Sequence, residues 1–361
     1  MFVAWRDLRF ARGRFALMGS VVVLITLLVG LLSGLTAGLA RDNTAALTSL
    51  PADRLAFAAP PDGRQVSFTN SSVRESVWRD WAARPGIDSA QPIGIRTVNG
   101  WAGDRTVAVT AFGVEPASKI APASGLLGPG KVVLSAKAAE ELGLEAGDKF
   151  RLGSVEETVA AVEGEAMYSH TPVVWTSLDD WQKLGRSDTP AKEQATVVAL
   201  TGSAADDVYA AGDRATGSRS VTLDESLAAL PSYQAENGSL QLMRGFLFAI
   251  SALVVGAFFT VWTIQRSGDI AVLKALGAST PYLLKDALGQ AVVMLALGTL
   301  AGTALATLLG ALIGGAVPFV LDAATLLLPA FVMIALGVVG AALSIRRITA
   351  VDPLTALGSA R

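Results

Sequence analysis

Charge-free stretches divide this chain. No Asp, Glu, Lys or Arg falls between Arg14 and Arg41, and none falls between Arg244 and Arg266. The 60 residues from Asp286 to Ile345 hold no Lys or Arg, and their only acids are Asp286 and Asp322. A helix crosses about 30 Å of hydrocarbon with about 20 apolar residues. The pattern therefore predicts four spans, at about 15–39, 245–265, 288–315 and 323–345, the last two joined by a turn near Val317-Pro318. Leu39-Ala40 offers small residues near a cleavage point, but the apolar run before it is far longer than the 7–15 residues of a secretory signal, so the first span reads as an uncleaved anchor.

Between the first two spans the pattern changes. Short β-rich runs, TVAVTAF (106–112), KVVLS (131–135), ETVAAV (157–162) and ATVVAL (195–200), alternate with helical patches such as AKAAEELGL (136–144). About 200 residues are enough for a folded domain with its own core. Arg6, Arg9, Arg12 and Arg14 precede the first span, Lys274 and Lys285 lie between the second and third, and Arg346 and Arg347 follow the fourth. The positive-inside rule puts all three regions, and both termini, in the cytoplasm. The fold expected is an α-helical membrane protein with four transmembrane helices and a large α+β extracytoplasmic domain between helices 1 and 2. Its segments are a cytoplasmic amphipathic stretch with the first span (1–41), the extracytoplasmic domain (42–240) and the second span (241–266). A cytoplasmic connection (267–286), the last two spans (287–346) and a cytoplasmic tail (347–361) follow.

Composition agrees: 52% of residues are hydrophobic, 17% are charged, and mean hydropathy is +0.48, whereas soluble domains are near a quarter charged. A net charge of −2 without a dense basic block does not suggest a nucleic-acid partner, and none is expected. The absence of cysteine removes disulfides, thiol catalysis and Cys-based metal sites. GLLGPGKV (125–132) nearly spells a phosphate-binding loop, but Val132 stands where Ser or Thr must meet magnesium, so it reads as a turn into the strand KVVLS. His170, the only histidine, has no second His with which to share a metal, and reads as a partly buried structural residue. No paired-carboxylate or Ser/His/Asp arrangement appears, so the chain is not expected to be an enzyme or to hold a cofactor of its own. None of the spans carries an ionisable residue near its middle, where coupling ions and proton relays act. Uphill transport would need energy from a partner.

One charged stretch remains, WTIQRSGDIAVLKALGAST (262–280). On helical spacing Ile270, Leu273 and Leu276 form an apolar edge, Asp269 and Lys274 lie off it, and Gly277 offers a C-terminal stop. Such an edge is buried either in a partner's groove or on the lipid surface. The residues QRSGDIAVLKALGAS resemble the cytoplasmic signature of the FtsX-like, or MacB-type, permease family of ABC transporters. KVVLSAKAAEELGLEAGDKFRL (131–152) is similar to that family's external-domain motif, and RRITAVDPLTAL (346–357) to its C-terminal tail. The resemblance implies a permease homodimer working with two copies of a separate ABC ATPase subunit, which binds ATP-Mg. It also implies that Asp269, Ile270, Leu273, Lys274 and Gly277 form the helix that couples to the ATPase.

The approach to the second span, SYQAENGSLQLMRGFLFAISALVVGAFF (232–259), resembles the haem-exporting permeases of Gram-positive bacteria. It departs from them at Arg244 and at Ser267-Gly268-Asp269. Haem as transported substrate is apolar and flat, with two propionates and an iron that accepts Met, His or Tyr. Glu236, Leu240, Met243 and Leu247 share a helical face, Phe248 lies beside it and Tyr233 just above. Met243 and Glu236 are the candidate iron ligands, and Tyr168 and His170 are the next. Arg244 either pairs with a propionate or anchors at the interface, and Met243 is either a ligand or a packing residue. Gly30, Gly34 and Gly38 repeat every four residues, a stripe that either admits another helix or leaves a slot for a flat ring. Two rivals share the same membrane plan: a non-transporting relay that activates a cell-wall hydrolase, and an exporter of another amphiphile such as a lipoprotein, macrolide or peptide.

Overall fold

The computed structural model describes residues 12–349 except 62–63, 117, 185–193, 266–267, 269–271, 273–276 and 315–316. It divides into two compact units, Leu39–Asn237 and Met1–Gly38 with Gly238–Arg361. The elements begin with α1 (Arg12–Thr48), β1 (Arg54–Ala58), β2 (Val73–Arg74), α2 (Glu75–Ala82), β3 (Ile87–Ala102), β4 (Arg105–Val114) and β5 (Lys131–Leu134). They continue with α3 (Ala136–Leu142), β6 (Lys149–Leu152), β7 (Val155–Val162), β8 (Met167–Tyr168), β9 (Thr171–Ser177), α4 (Leu178–Lys183), β10 (Gln194–Ala195) and β11 (Val197–Gly202). The last are α5 (Asp206–Thr216), β12 (Ser218–Thr222), α6 (Leu223–Ser226), α7 (Pro231–Gln265), α8 (Thr280–Ile313) and α9 (Ala323–Thr349).

In the Leu39–Asn237 unit the main sheet runs β12-β1-β11-β3-β4-β9-β5-β7-β6. β3 is 16 residues long, and its far end also pairs with β6 through Gly100 and Trp101, so the strands from β3 to β6 close into a ring. Strands β1, β5, β9 and β11 are buried on both faces, which is why they read as nearly continuous apolar runs, whereas β6 and β7 alternate buried with more exposed positions. Leu55 and Phe57 of β1 enter one core while Ala56 enters another, and Val198 and Leu200 of β11 part from Val197 and Ala199 in the same way. One core receives Trp78 and Trp81 of α2, Trp181 of α4 and Tyr209 of α5; the other receives Leu47 of α1 with Phe68, Tyr168 and Leu230. Gly94 and Gly113 stand opposite each other on β3 and β4. A methyl on either would lie 2.2–2.3 Å from Trp181, so the pair forms a flat bed for the indole. Arg96 covers the Trp181 ring at 4.6 Å. At the sheet's edge, the backbone N–H of Ser220 on β12 donates to Asp213, and that of Thr222 to Glu225, so a neighbouring chain finds few free donors there.

In the other unit, α1, α7, α8 and α9 carry the four runs long and apolar enough to cross a membrane: Ala16–Thr48, Pro231–Val261, Lys285–Ile313 and Ala323–Leu343. Small residues bring α1 and α8 close: Gly298 lies against Val22, Gly302 against Thr26, and Gly30 against Ala306. Met18, Val22, Val255, Phe259, Met294 and Leu295 fill the space between the helices.

Two helix limits differ from the sequence expectation. α1 continues to Thr48 rather than ending near 39–41, and α7 begins at Pro231 rather than 241. Charge-free length marks how much helix can sit in hydrocarbon, not where backbone hydrogen bonding stops. Beyond Arg41 the turn with Ala46 and Leu47 stays helical because it buries those side chains completely in the α+β core.

Candidate functional site

In the α+β unit a polar cluster gathers residues that lie far apart in the chain. Ser169 and His170, the two residues between β8 and β9, both have positive φ, at 49° and 61°. Two L-residues rarely adopt that conformation unless the surroundings hold them. Here the carbonyls of α1 do so: the Ser169 N–H donates to the Asn43 oxygen at 2.9 Å, and the His170 N–H to that of Asp42 at 3.2 Å. The His170 ring then lies with Nε2 2.9 and 3.0 Å from the Glu236 carboxylate oxygens. Asn43 Nδ2 donates to Glu236 Oε2 at 3.3 Å, Ser232 Oγ donates to Asn43 Oδ1 at 2.9 Å, and the Ser169 and Ser232 hydroxyls are 3.1 Å apart. Glu236, expected as a free ligand, is thus engaged with His170 and Asn43. His170, expected as a partly buried structural histidine, is about one-third exposed and pairs with that carboxylate. Asn43, Ser169 and Ser232 were not legible as site residues, because no spacing relates them.

The two tyrosines differ in use. Tyr168 is buried with its ring 5.4 Å from Phe112 and 5.9 Å from Phe68, and burial pushes its phenol well above the ordinary range. Tyr168, one of the next candidate ligands, is thus a core residue. Tyr233 is half-buried and packs against the same core. Among the described residues no group of three or more His, Cys, Asp or Glu could hold a metal ion.

In the membrane unit, α7 presents Leu242, Met243, Phe246, Ile250 and Leu253 outward, each more than half exposed. Arg244, Leu247 and Phe248 are half-buried beside them, and Arg244 makes no ion pair among the described residues. The glycine stripe of α1 is not an open slot. Gly30 meets Ala306, a methyl on Gly34 would fall 2.3 Å from the Phe319 ring, and one on Gly38 would fall 2.0 Å from the Pro318 carbonyl oxygen. Val320 donates its N–H to the Gly34 carbonyl at 3.1 Å, which holds the turn after α8 against α1. The room expected for a flat ring at Gly30 and Gly34 is therefore filled, because side chains from α8 and the turn pack where Cβ atoms are missing.

The proposed coupling residues Asp269, Ile270, Leu273 and Lys274 lie outside the described residues. Gly277 is described: its φ of 95° forms a turn that only glycine enters easily, and Ser279, in extended backbone, then opens α8. The near phosphate loop is a turn, as expected. Gly130, with φ of 71°, donates its N–H to Asp180 Oδ2 at 2.8 Å just before β5. Asp180 is buried and also accepts from Ser177 and Lys183. Burial alone would raise its pKa, but the hydrogen bonds from Lys183, Gly130 and Ser177 together hold it below the usual carboxylate range. Among the described residues its neighbour Glu157 accepts only from Thr176, at 3.3 Å, and burial with the nearby Asp180 charge pushes it up to about 7.

Comparison with known proteins adds the following. Residues 18–216 match the MacB-like periplasmic core domain, and residues 242–353 match the FtsX-like permease C-terminal region. A Staphylococcus haemolyticus protein named HrtB, for a hemin transport system permease, is 26% identical over 360 residues, covering 99% of both chains. An uncharacterized ABC transporter permease of Mycobacterium bovis is 23% identical over 366 residues, again 99% of both. Among solved structures, the extracellular domain of the ABC-type transporter YknZ from Gram-positive bacteria is 13% identical, with a TM-score of 0.35 over 47% of this chain and 98% of that one.

Proposed function

The chain belongs to the MacB-type, FtsX-like permeases of ABC transporters, multi-pass membrane proteins with an α+β domain between the first and second spans, and from that premise we propose that it exports haem from the membrane. The observation that carries this reading is similarity along 99% of the chain to a relative named for hemin transport. Met243 and Arg244 support it chemically, as an exposed thioether and a guanidinium with no ion pair among the described residues, on an apolar helix face. Met243 is the proposed iron ligand of the membrane unit, with Arg244 for a propionate and Leu247 and Phe248 against the ring. In the α+β unit, Glu236 with His170 and Tyr233 nearby supplies a second set of donors.

The energy comes from a separate ATPase, two copies of which would bind a permease homodimer through Asp269, Ile270, Leu273, Lys274 and Gly277. Both termini and that connection face the cytoplasm, as the basic residues beside the spans argue. Two-state coupling requires haem to bind more weakly once ATP closes the dimer.

The test is a haem titration of the purified permease–ATPase complex, with Met243→Ala and Glu236→Ala made singly and together. The absorption band should shift or weaken in the variants, and cells carrying them should lose haem tolerance. Leu273→Asp should abolish haem-stimulated ATP hydrolysis while leaving the band unchanged. An unaltered spectrum and full tolerance in the double variant would remove these ligands. A complex whose ATPase ignores haem but whose loss stops cell-wall hydrolysis would be the non-transporting relay instead.

A further inference from the structure

A cleft of about 800 Å³ opens in the α+β unit between the end of α1, the segment 119–122 and the segment 164–166. That volume is in the range that holds a small molecule. Its lining divides by chemistry. Ile120, Ala121 and Ala166 are buried apolar residues, and Trp175 of β9, 1% exposed, lies among them. Arg41, Lys119 and Glu165 are exposed at its rim.

Two features are unexplained by the fold alone. The Trp175 indole N–H is buried and has no acceptor among the described residues, and neither has the hydroxyl of Ser118, 5% exposed and next to Lys119. Buried donors in native proteins nearly always have partners. The rim also carries two cations against one acid, and no ion pair engages Lys119 among the described residues. Arg41 is bound to Glu165 at 2.6 Å, but both side chains are more than half exposed, so that pairing is weak and an incoming anion can replace it.

We propose that this cleft binds a carboxylated amphiphile. Its apolar body rests on Ile120, Ala166 and Trp175, an acceptor oxygen takes the indole N–H, and its carboxylate meets Lys119 and Arg41. The inference does not depend on which cargo the permease exports. Two sources share this chemistry: a fatty acid from the bilayer, and a porphyrin with its propionates.

The experiment uses the full chain in lipid nanodiscs and a fatty acid carrying a photoreactive diazirine, with labelled peptides mapped by mass spectrometry. Peptides containing 118–122 and 164–166 should be labelled. The uncharged amide of the same chain should label them about fivefold less, as should the Lys119→Glu variant, since one exposed charge contact is worth about that factor. Trp175→Phe, which keeps the aromatic bulk but removes the donor, should also lower the labelling, while labelling of the membrane helices stays constant. Competition by metal-free protoporphyrin would identify the porphyrin source, and its failure would identify the fatty acid. Labelling confined to the membrane helices, or equal labelling in wild type, Lys119→Glu and the amide control, would overturn the proposal.

Discussion

Replacing Glu157 by Gln should stabilise the α+β unit at alkaline pH and leave it nearly unchanged at acid pH. The side chain is 2% exposed, and among the described residues Oε2 has no hydrogen-bond partner and Oε1 accepts only from Thr176. Burial and the nearby Asp180 carboxylate raise its pKa from 4.5 to about 7. An acid whose folded-state pKa is raised holds its proton more tightly when folded. Its contribution is therefore fully present below about 4.5 and is lost as the pH climbs through 7. A tenfold change in proton affinity corresponds to about 1.4 kcal/mol, so the full rise costs about 3 kcal/mol above pH 7. Gln carries no charge to bury and keeps an oxygen for Thr176. At pH 8 the variant should thus melt higher by up to about 10 °C, taking about 2–4 °C per kcal/mol for a unit of this size. At pH 5 the difference should shrink to less than about 1 kcal/mol, or about 2–4 °C. Five of the seven tryptophans, Trp78, Trp81, Trp101, Trp175 and Trp181, lie in this unit, so the fluorescence melt of the detergent-solubilised chain reports on it. Equal stabilisation at both pH values, or a wild type more stable at pH 8 than at pH 5 without a matching change in the variant, would refute the assignment.

Gly38→Ala should destabilise the membrane unit by about 1–3 kcal/mol, because its methyl meets a backbone carbonyl at Pro318 that cannot rotate away; a thermal melt with a single fluorophore on the 317–322 turn reads this, and an unchanged melt would mean that the turn yields. A double-mutant cycle of His170→Ala and Glu236→Ala should give a coupling of no more than about 1 kcal/mol, since both side chains are about a third exposed or more. A coupling near zero by hydrogen exchange at the 169–170 turn would show that the Asp42 and Asn43 carbonyls alone hold it.

Several elements were legible before any fold was known. The charge gaps located four membrane helices because insertion into hydrocarbon depends on local composition. TVAVTAF, KVVLS, ETVAAV and ATVVAL became β4, β5, β7 and strands β10 and β11; in KVVLS and ATVVAL two apolar faces leave a continuous signature, and in ETVAAV one buried face leaves an alternating one. Gly130 and Val132 were readable as a turn and a strand because a missing magnesium ligand is visible in one dimension. The glycine stripe was visible, but its occupant was not: Ala306, Pro318 and Phe319 lie some 280 residues further along.

The cluster around Glu236 separates the two kinds of information. Periodicity placed Glu236 on a helix with Met243, which follows from 3.6 residues per turn and needs nothing beyond the sequence. Its pairing with His170 needed 66 residues of chain to return, two L-residues to take up positive φ, and the α1 carbonyls to hold them there. Burial has the same character. Nothing in the sequence singles out Glu157 or Asp180, and only the folded unit takes them out of water and drives their proton affinities apart. Hydration and backbone geometry act over a few residues and are written along the chain, whereas desolvation and charge pairing act through space and exist only once the sheet has closed.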